Sequence, residues 1–469
     1  MSKGFLFGEN MKLPKIILSK KPTYLKIAEG LDLFEVFSKI ENKSEDCFIL
    51  ESLGEQNSLS RYSIVGFDPK HIISARGNSL FFDDEEFSFD DPTSPGLRGA
   101  RNPYFALREI VPQDLFSKFY AGGLVGFLSY EAANYFEPSL KLKEHKDFEA
   151  FKFGVYLDGL VLDKITGELF YFYYDENRIE TVRAIIKAKV EKGNVEVKFL
   201  GDTLDGRGHQ RNVEYVLDQI KRGNTFQCEV GFKSEFKIEG NSLLIYEDLR
   251  KVNPSPFMYY LKFSEQKIVG ASPELLFRLK SGDMETFPLA GTIKRGKTEE
   301  EDIKLARELL NDPKEIAEHN MLVDLHRNDL GRVAKFGTVK VRSLMDIKKF
   351  SHVQHISSEI SGVIKEDCDM FCSLSASFPA GTLTGAPKIE SMKIINKLEN
   401  SPRGPYGGAV GHFGFDGNCT FAISIRSLFI SGEYGYAQTS GGVVADSEAD
   451  KEYEEIVRKL AAMKKVLEV

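Results

Sequence analysis

The sequence predicts a mixed α and β protein, built as one large two-lobed body or as two domains. Three observations carry this. The chain has 469 residues, beyond the usual size of a single core, and 42% of them are hydrophobic, enough to fill a large interior. Up to about residue 200, strand-like runs such as "CFILESL", "GGLVGFLSY" and "ELFYFYYD" alternate with polar turns. Beyond that point helical periodicity runs between short strands.

Taken in order, the opening "MSKGFLFGENMKLPKIILSKK" has short apolar runs broken by Gly, Lys and Pro. It fits neither a secretory signal nor a membrane span and points to a cytoplasmic protein. "KLKEHKDFE" reads as a loop. The Gly- and Asp-rich "LGDTLDGRGHQR" at 200–211 reads as the loop between lobes, dividing the chain into 12–200 and 207–469. Thr298 and Glu301 form a capping-box pattern for a helix through "EDIKLARELLN", which Pro313 stops.

A net charge of -8 without a long basic run argues against a nucleic-acid surface and for a small ligand. The five cysteines, at 47, 228, 368, 372 and 419, have no disulfide-like spacing and read as free thiols. Cys368 and Cys372 share a helical face, but no second Cys or His pair lies near in sequence to complete a zinc site.

"FPLAGTIKRG" (287–296) leads from an apolar segment through a Gly-Thr turn into basic residues, a place to hold an anion, with the inert Ala290 at its middle. In "KEIAEHNMLVDLHRNDLGRV", Glu315 and Glu318 are three apart on a helix that is apolar almost all round and therefore buried. An unpaired buried carboxylate is costly, so something positive must face it. "DKEYEEIVRKLAAM" adds Glu452 and Glu455 beside the stripe of Tyr453, Ile456, Val457, Leu460 and Met463. Both pairs read either as solvated or salt-bridged charges or as a Mg2+ site, since that ion prefers oxygen and often takes only one or two protein carboxylates.

"ASPELLFR", "FPLAGTIKRG", "GNTFQCEVGF", "VQHISSEISG", "FPAGTLTGAPKIESM", "YGGAVGHFGFDG", "FAISIRS" and "GGVVADSEADKEYEEI", with the helix above, resemble the chorismate-utilising enzymes over most of 210–469. "ILES" and "RYSIVGF" are similar to the N-terminal part of anthranilate synthase component I. The resemblance implies an α+β fold of two lobes, with antiparallel sheets packed as a sandwich and helices on the outside. It implies Mg2+ held by Glu318 and Glu455, with Glu315 and Glu452 in support. Gly291, Thr292 and Thr382 would line the ring-carboxylate site. Tyr406 and Arg426 would hold the pyruvyl carboxylate, for which a guanidinium fork is suited. His355 matches the catalytic histidine, a group that can move protons near neutrality. "GTLTGAPK" lacks a Gly-Lys-Ser/Thr ending and reads as a substrate-lining turn. Two residues depart from the pattern: Ser440, ahead of Gly441 and Gly442 along the substrate, and His326.

Related aminodeoxychorismate synthases often carry a nucleophilic Lys where Ala290 stands, and related isochorismate synthases carry a water-activating Lys matching Gln227. Lacking both, the chain resembles an anthranilate synthase large subunit, a Mg2+-dependent lyase of tryptophan biosynthesis. It would add ammonia to chorismate at C2, lose the C4 hydroxyl and eliminate pyruvate. No cysteine sits in a glutaminase-like turn, so the resemblance implies a separate glutamine amidotransferase subunit, two of each chain in a heterotetramer. "ILES" and "NPSPFM" match the tryptophan feedback site, with Ser52, Pro256, Phe257 and Met258 as contacts. Two other readings stand beside this one: aminodeoxychorismate synthase component I, and a non-catalytic tryptophan-binding regulatory subunit.

Overall fold

Alternating apolar residues form strands where the pattern asks for them. "CFILESL" gives Asp46–Glu51, "GGLVGFLSY" gives Gly123–Leu128 and "ELFYFYYD" gives Glu168–Tyr173. The computed structural model describes residues 12–18, 20–53, 61–89, 102–117, 119–189, 192–350 and 353–468. Most of the opening segment read against a signal or membrane span lies outside them. No described helix is long and apolar enough to cross a membrane.

The strands make two antiparallel sheets, and each draws on both ends of the sequence. In the first, Thr23–Glu29, Glu168–Tyr173, Asp158–Asp163, Tyr62–Phe67 and Asp46–Glu51 lead into Phe257–Phe263 and Gln266–Ser272. Ser427–Ser431, Tyr434–Val443, Gln227–Gly240 and Val195–Asp202 complete that path. In the second, Ala409–Gly414 pairs with Gly123–Leu128, so the segments before and after the expected boundary share this sheet too.

The sheets pack face to face. Phe127, Phe153, Phe277, Phe413 and Phe421 of the second meet Phe48, Tyr259, Phe429 and Tyr436 of the first in one buried cluster. On the outer face of the first sheet, Phe37, Tyr246 and Ile456 bring down helices Leu33–Glu41, Leu243–Val252 and Ala449–Val466. This is the α+β sandwich with outer helices.

Local readings need three corrections. Only 203–205 of the 200–211 stretch is loop, because Asp205 caps helix Gly206–Lys221 by accepting from Gly208 N. Pro313 does more than end the preceding helix Glu299–Leu309: it is the first residue of Pro313–Gly331, capped by Asp312. That helix is buried along one face only, through His319, Leu322, Val323, His326 and Leu330, while Asp324, Arg327 and Asn328 face solvent. Half of the expected capping box forms: Glu301 N donates to Thr298 Oγ1 at 3.3 Å, while the Glu301 carboxylate accepts from Lys297 N at 2.7 Å instead of from Thr298 N.

Candidate active site

Each pair of glutamates is aimed by the start of its helix. Asp312 accepts from the backbone N of Lys314 and Glu315, fixing the first turn of Pro313–Gly331 against strands Leu289–Lys294 and Val353–Val363. Gly291, at φ +68°, leaves room there: a Cβ would stand 2.9 Å from Glu315 Oε2. Helix Ala449–Val466 lies on strand Tyr434–Val443, where a Cβ on Gly441 would come within 3.2 Å of Glu452 Oε2.

The two helices bring the four carboxylates into one electrostatic cluster. Burial raises the Glu318 carboxyl to about 7; Glu315, Glu229 and Glu452 add to the rise and Lys314 opposes it. Burial raises Glu315 and Glu452 as well, each further raised by Glu455. Burial acts the same way on Glu455, but Lys459 at 2.6 Å, with Arg458 and Lys314, together outweighs it and holds the group below its usual value. The positive charge that Glu318 requires is only weakly supplied, by Lys314 at 3.9 Å on the same helix. The cluster is therefore short of cations and suits a divalent ion. No three described His, Cys, Asp or Glu side chains form a ready metal cage.

Across the strands next to Gly291, His355 Nδ1 lies 3.0 Å from the Gly291 carbonyl and 3.0 Å from Thr292 Oγ1. The carbonyl can only accept, so Nδ1 carries the proton and Nε2 keeps its lone pair. Burial lowers the His355 pKa to about 4, opposed by the Gly291 bond and aided by Arg426 and Lys459, so the ring is neutral at pH 7. Arg426 sits at φ +53° between two strands, and its guanidinium has no hydrogen-bond or ion-pair partner among the described residues. Burial pulls its pKa down while Tyr406 and Glu455 favour its charge. A half-buried cation beside Tyr406, unpaired among the described residues, is a receptor for a carboxylate.

Tyr406 donates to Ser440 Oγ at 3.0 Å, and Ser440 donates to Glu229 Oε2 at 2.8 Å. Ser440, the departure from the family pattern, thus ties the tyrosine to a buried carboxylate. Gly442 lies opposite Glu229 in the strand pair, next to the Gln227 side chain. Thr382 donates to Glu274 Oε1 at 3.0 Å. Glu274 is buried, and its desolvation raises it to about 8 against the Thr382 and Leu289 N–H bonds, so it is mainly protonated at neutral pH.

Glu274 and Glu229 were not among the residues chosen from sequence. Their signal was an acidic residue inside an apolar run, "SPELLF" and "QCEVGF". His326, the other departure, is a core residue: Nδ1 lies 2.8 Å from Thr286 Oγ1, and burial lowers it to about 3. The basic end of "FPLAGTIKRG" does not hold an anion through Arg295, which is locked to Asp302 at 2.6 Å. The remaining predicted residues form a second location. Leu53 N donates to Ser255 O at 3.0 Å, and Met258 pairs with Glu51, so Ser52 adjoins Pro256, Phe257 and Met258. The buried Ser52 hydroxyl has no hydrogen-bond partner among the described residues, and Glu51 is held by Arg250 at 2.7 Å and Tyr246 at 2.9 Å.

A carboxylate receptor, a neutral histidine, a protonated glutamic acid and a cation-poor carboxylate cluster, electrostatically linked to one another, suit an enzyme of a small anionic substrate. Residues 45–465 match the family described as chorismate binding enzyme, and the chain belongs to that family. It is 52% identical to anthranilate synthase component 1 of Leptospira biflexa over 97% of this chain and 98% of that protein. It is 41% identical to anthranilate synthase component 1 of Methanothermobacter thermautotrophicus, over 96% and 95%. The crystal structure of anthranilate synthase component I from Streptococcus pneumoniae superposes with a TM-score of 0.75 at 29% identity, covering 89% of this chain and 94% of that one.

Proposed function

We propose that the chain is the chorismate-converting subunit of an anthranilate synthase: a lyase that adds ammonia to chorismate and releases anthranilate and pyruvate. The observation that carries this is the absence of either lysine from an otherwise complete site. Ala290, paired with Ile356, offers no covalent nucleophile, and Gln227 cannot activate water as an amine would. Ammonia then meets neither of these two competitors.

The residues divide the work by their protonation. Arg426 and Tyr406 orient the pyruvyl carboxylate. Glu274 gives its proton to the departing C4 hydroxyl; with Oε1 accepting from Thr382, the proton sits on Oε2. His355, neutral with Nε2 open, takes a proton during aromatisation. Glu318 and Glu455, supported by Glu315 and Glu452, would hold Mg2+, which when bound supplies a positive charge for the ring carboxylate. Ammonia comes from glutamine through a separate amidotransferase subunit, and tryptophan inhibits at Ser52, Pro256, Phe257 and Met258.

The test is direct. Purified chain with chorismate, Mg2+ and ammonium is followed by anthranilate fluorescence, with glutamine replacing ammonium in a second reaction. Anthranilate from ammonium but not from glutamine is the expected result. A para-aminated product, or glutamine use by the single chain, would overturn this reading.

A further inference from the structure

One buried arginine is used by no step of the reaction. Arg403 is 2% exposed, and its planar fork is taken up by the protein. Nε and Nη2 hold the Glu399 carboxylate at 2.9 and 2.6 Å, Nη1 donates to the Leu383 carbonyl at 2.7 Å, and Nη2 donates to the Glu229 carbonyl at 2.9 Å. Two of these contacts lead to groups already described. Leu383 follows Thr382 in the turn Gly381–Leu383, and Thr382 is the donor to Glu274. Glu229 accepts from Ser440, the partner of Tyr406.

The segment carrying Arg403 is fixed as well, in part by the N-terminal portion of the chain. Glu131 Oε1 accepts from Arg403 N at 2.8 Å and from Gly404 N at 3.2 Å, and Tyr130 N donates to the Gly404 carbonyl at 2.8 Å. Tyr436 Oη donates to the Arg403 carbonyl at 2.8 Å, and Lys233 Nζ to the Pro402 carbonyl at 2.6 Å. Every backbone N–H and C=O from Pro402 to Gly404 is thereby bonded, which sets where the fork points. A lysine would keep the charge, but its single ammonium on a flexible stem does not span three directions at once.

We propose that Arg403 is a positioning residue for proton transfer: Glu131 fixes its backbone, its fork fixes the turn at Leu383, and the turn holds Thr382 against Glu274. The inference rests on the proton-donating role proposed above for Glu274. Burial raises the Glu274 carboxyl, Thr382 and the Leu289 N–H lower it, and Glu229 raises it. Arg403 reaches it through the turn, and Arg403→Lys keeps the charge that Glu229 feels.

The experiment is the pH profile of kcat at saturating chorismate, Mg2+ and ammonia, with thermal melts as the check on folding. A required acid loses its proton on the basic limb, so removing the Thr382 bond moves that limb to higher pH. Thr382→Val should shift it up by about one pH unit, and Arg403→Lys by at least about half as much. The double variant should match Thr382→Val alone, because both changes act through one bond. Glu131→Leu should behave as Arg403→Lys, and Glu131→Gln, which keeps an oxygen for the two N–H groups, should return the limb to its wild-type place. If Arg403→Lys does not fold, the Glu131 pair decides. A folded Arg403→Lys or Glu131→Leu with the wild-type limb, while Thr382→Val moves it, would overturn the positioning role. A wild type without a basic limb, or an unmoved limb in Thr382→Val, would instead refute the acid role of Glu274 and this inference with it.

Discussion

At position 227 one side chain stands between two nucleophiles. An amine there would lie next to the Glu229 carboxylate, ready to act as a base on water. Gln227→Lys should therefore raise isochorismate relative to anthranilate, read by chromatography of the product mixture. An unmoved ratio would place nucleophile choice elsewhere. At this scale motifs picked out residues that the fold brings within electrostatic reach: Arg426 acts on His355, and Glu455 acts on Arg426. The sequence was silent about Glu229 and Glu274, because a lone acid in an apolar run reads as an ordinary strand residue until the register shows what lies across it. Ser440 was seen as a departure, but only its hydrogen bonds to Tyr406 and Glu229 explain it.

At the scale of elements, the metal proposal depends on two helices that sequence could describe singly but not bring together. Spacing gave each pair of glutamates its face, and the packing of Pro313–Gly331 and Ala449–Val466 on separate strands gave the cluster. On the metal proposal Mg2+ should raise the melting temperature of wild type, and Glu318→Gln and Glu455→Gln should keep the fold, lose most activity and lose that rise. A variant with an unchanged Mg2+-dependent melt would remove that residue from the ligand set. The cap is testable too. Asp312→Ala should cost about 1 kcal/mol in unfolding free energy and loosen the turn that carries Glu315. The loop reading of 200–211 failed for a related reason: Gly and Asp signal a turn, yet an Asp followed by a helix is also a cap.

For the whole molecule, buried titratable groups set how stability follows pH. Burial, as the largest cause, raises Glu131, Glu229 and Glu318 to about 7 and Glu274 to about 8, so the folded state binds more protons than the unfolded from 4.5 upward. Their contribution falls as pH climbs to about 8. Burial lowers His319, His355 and His412 to about 4, and His145 and His326 to about 3, so their contribution falls as pH drops below 6.5. The sets oppose each other between 4.5 and 6.5 and act alone outside that span. Denaturant melts of the metal-free protein should show greatest stability there and a decline towards pH 8. Stability that rises from pH 6.5 to 8 would contradict the buried, protonated carboxyls.

The proposed tryptophan site also belongs to the whole, since it joins Asp46–Glu51 to Phe257–Phe263, strands far apart in sequence. An inhibitor acts only by binding two states unequally. Ser52→Phe should fill the site, sparing uninhibited turnover and abolishing the response to tryptophan. Wild-type turnover indifferent to millimolar tryptophan would end that proposal. The sandwich class came from motifs rather than periodicity, because alternation reveals a strand but not its partner.

That distance along the chain has a cost in time. Leu50 pairs with Tyr259, and Ala409 with Leu128. At a ribosomal rate of about 5–20 residues per second, the first strand waits roughly 10–40 s for its neighbour, exposing an apolar edge throughout. The nascent polypeptide therefore needs shelter from chaperones until late in translation, and ribosome-bound fragments shorter than the second partner should be captured by them.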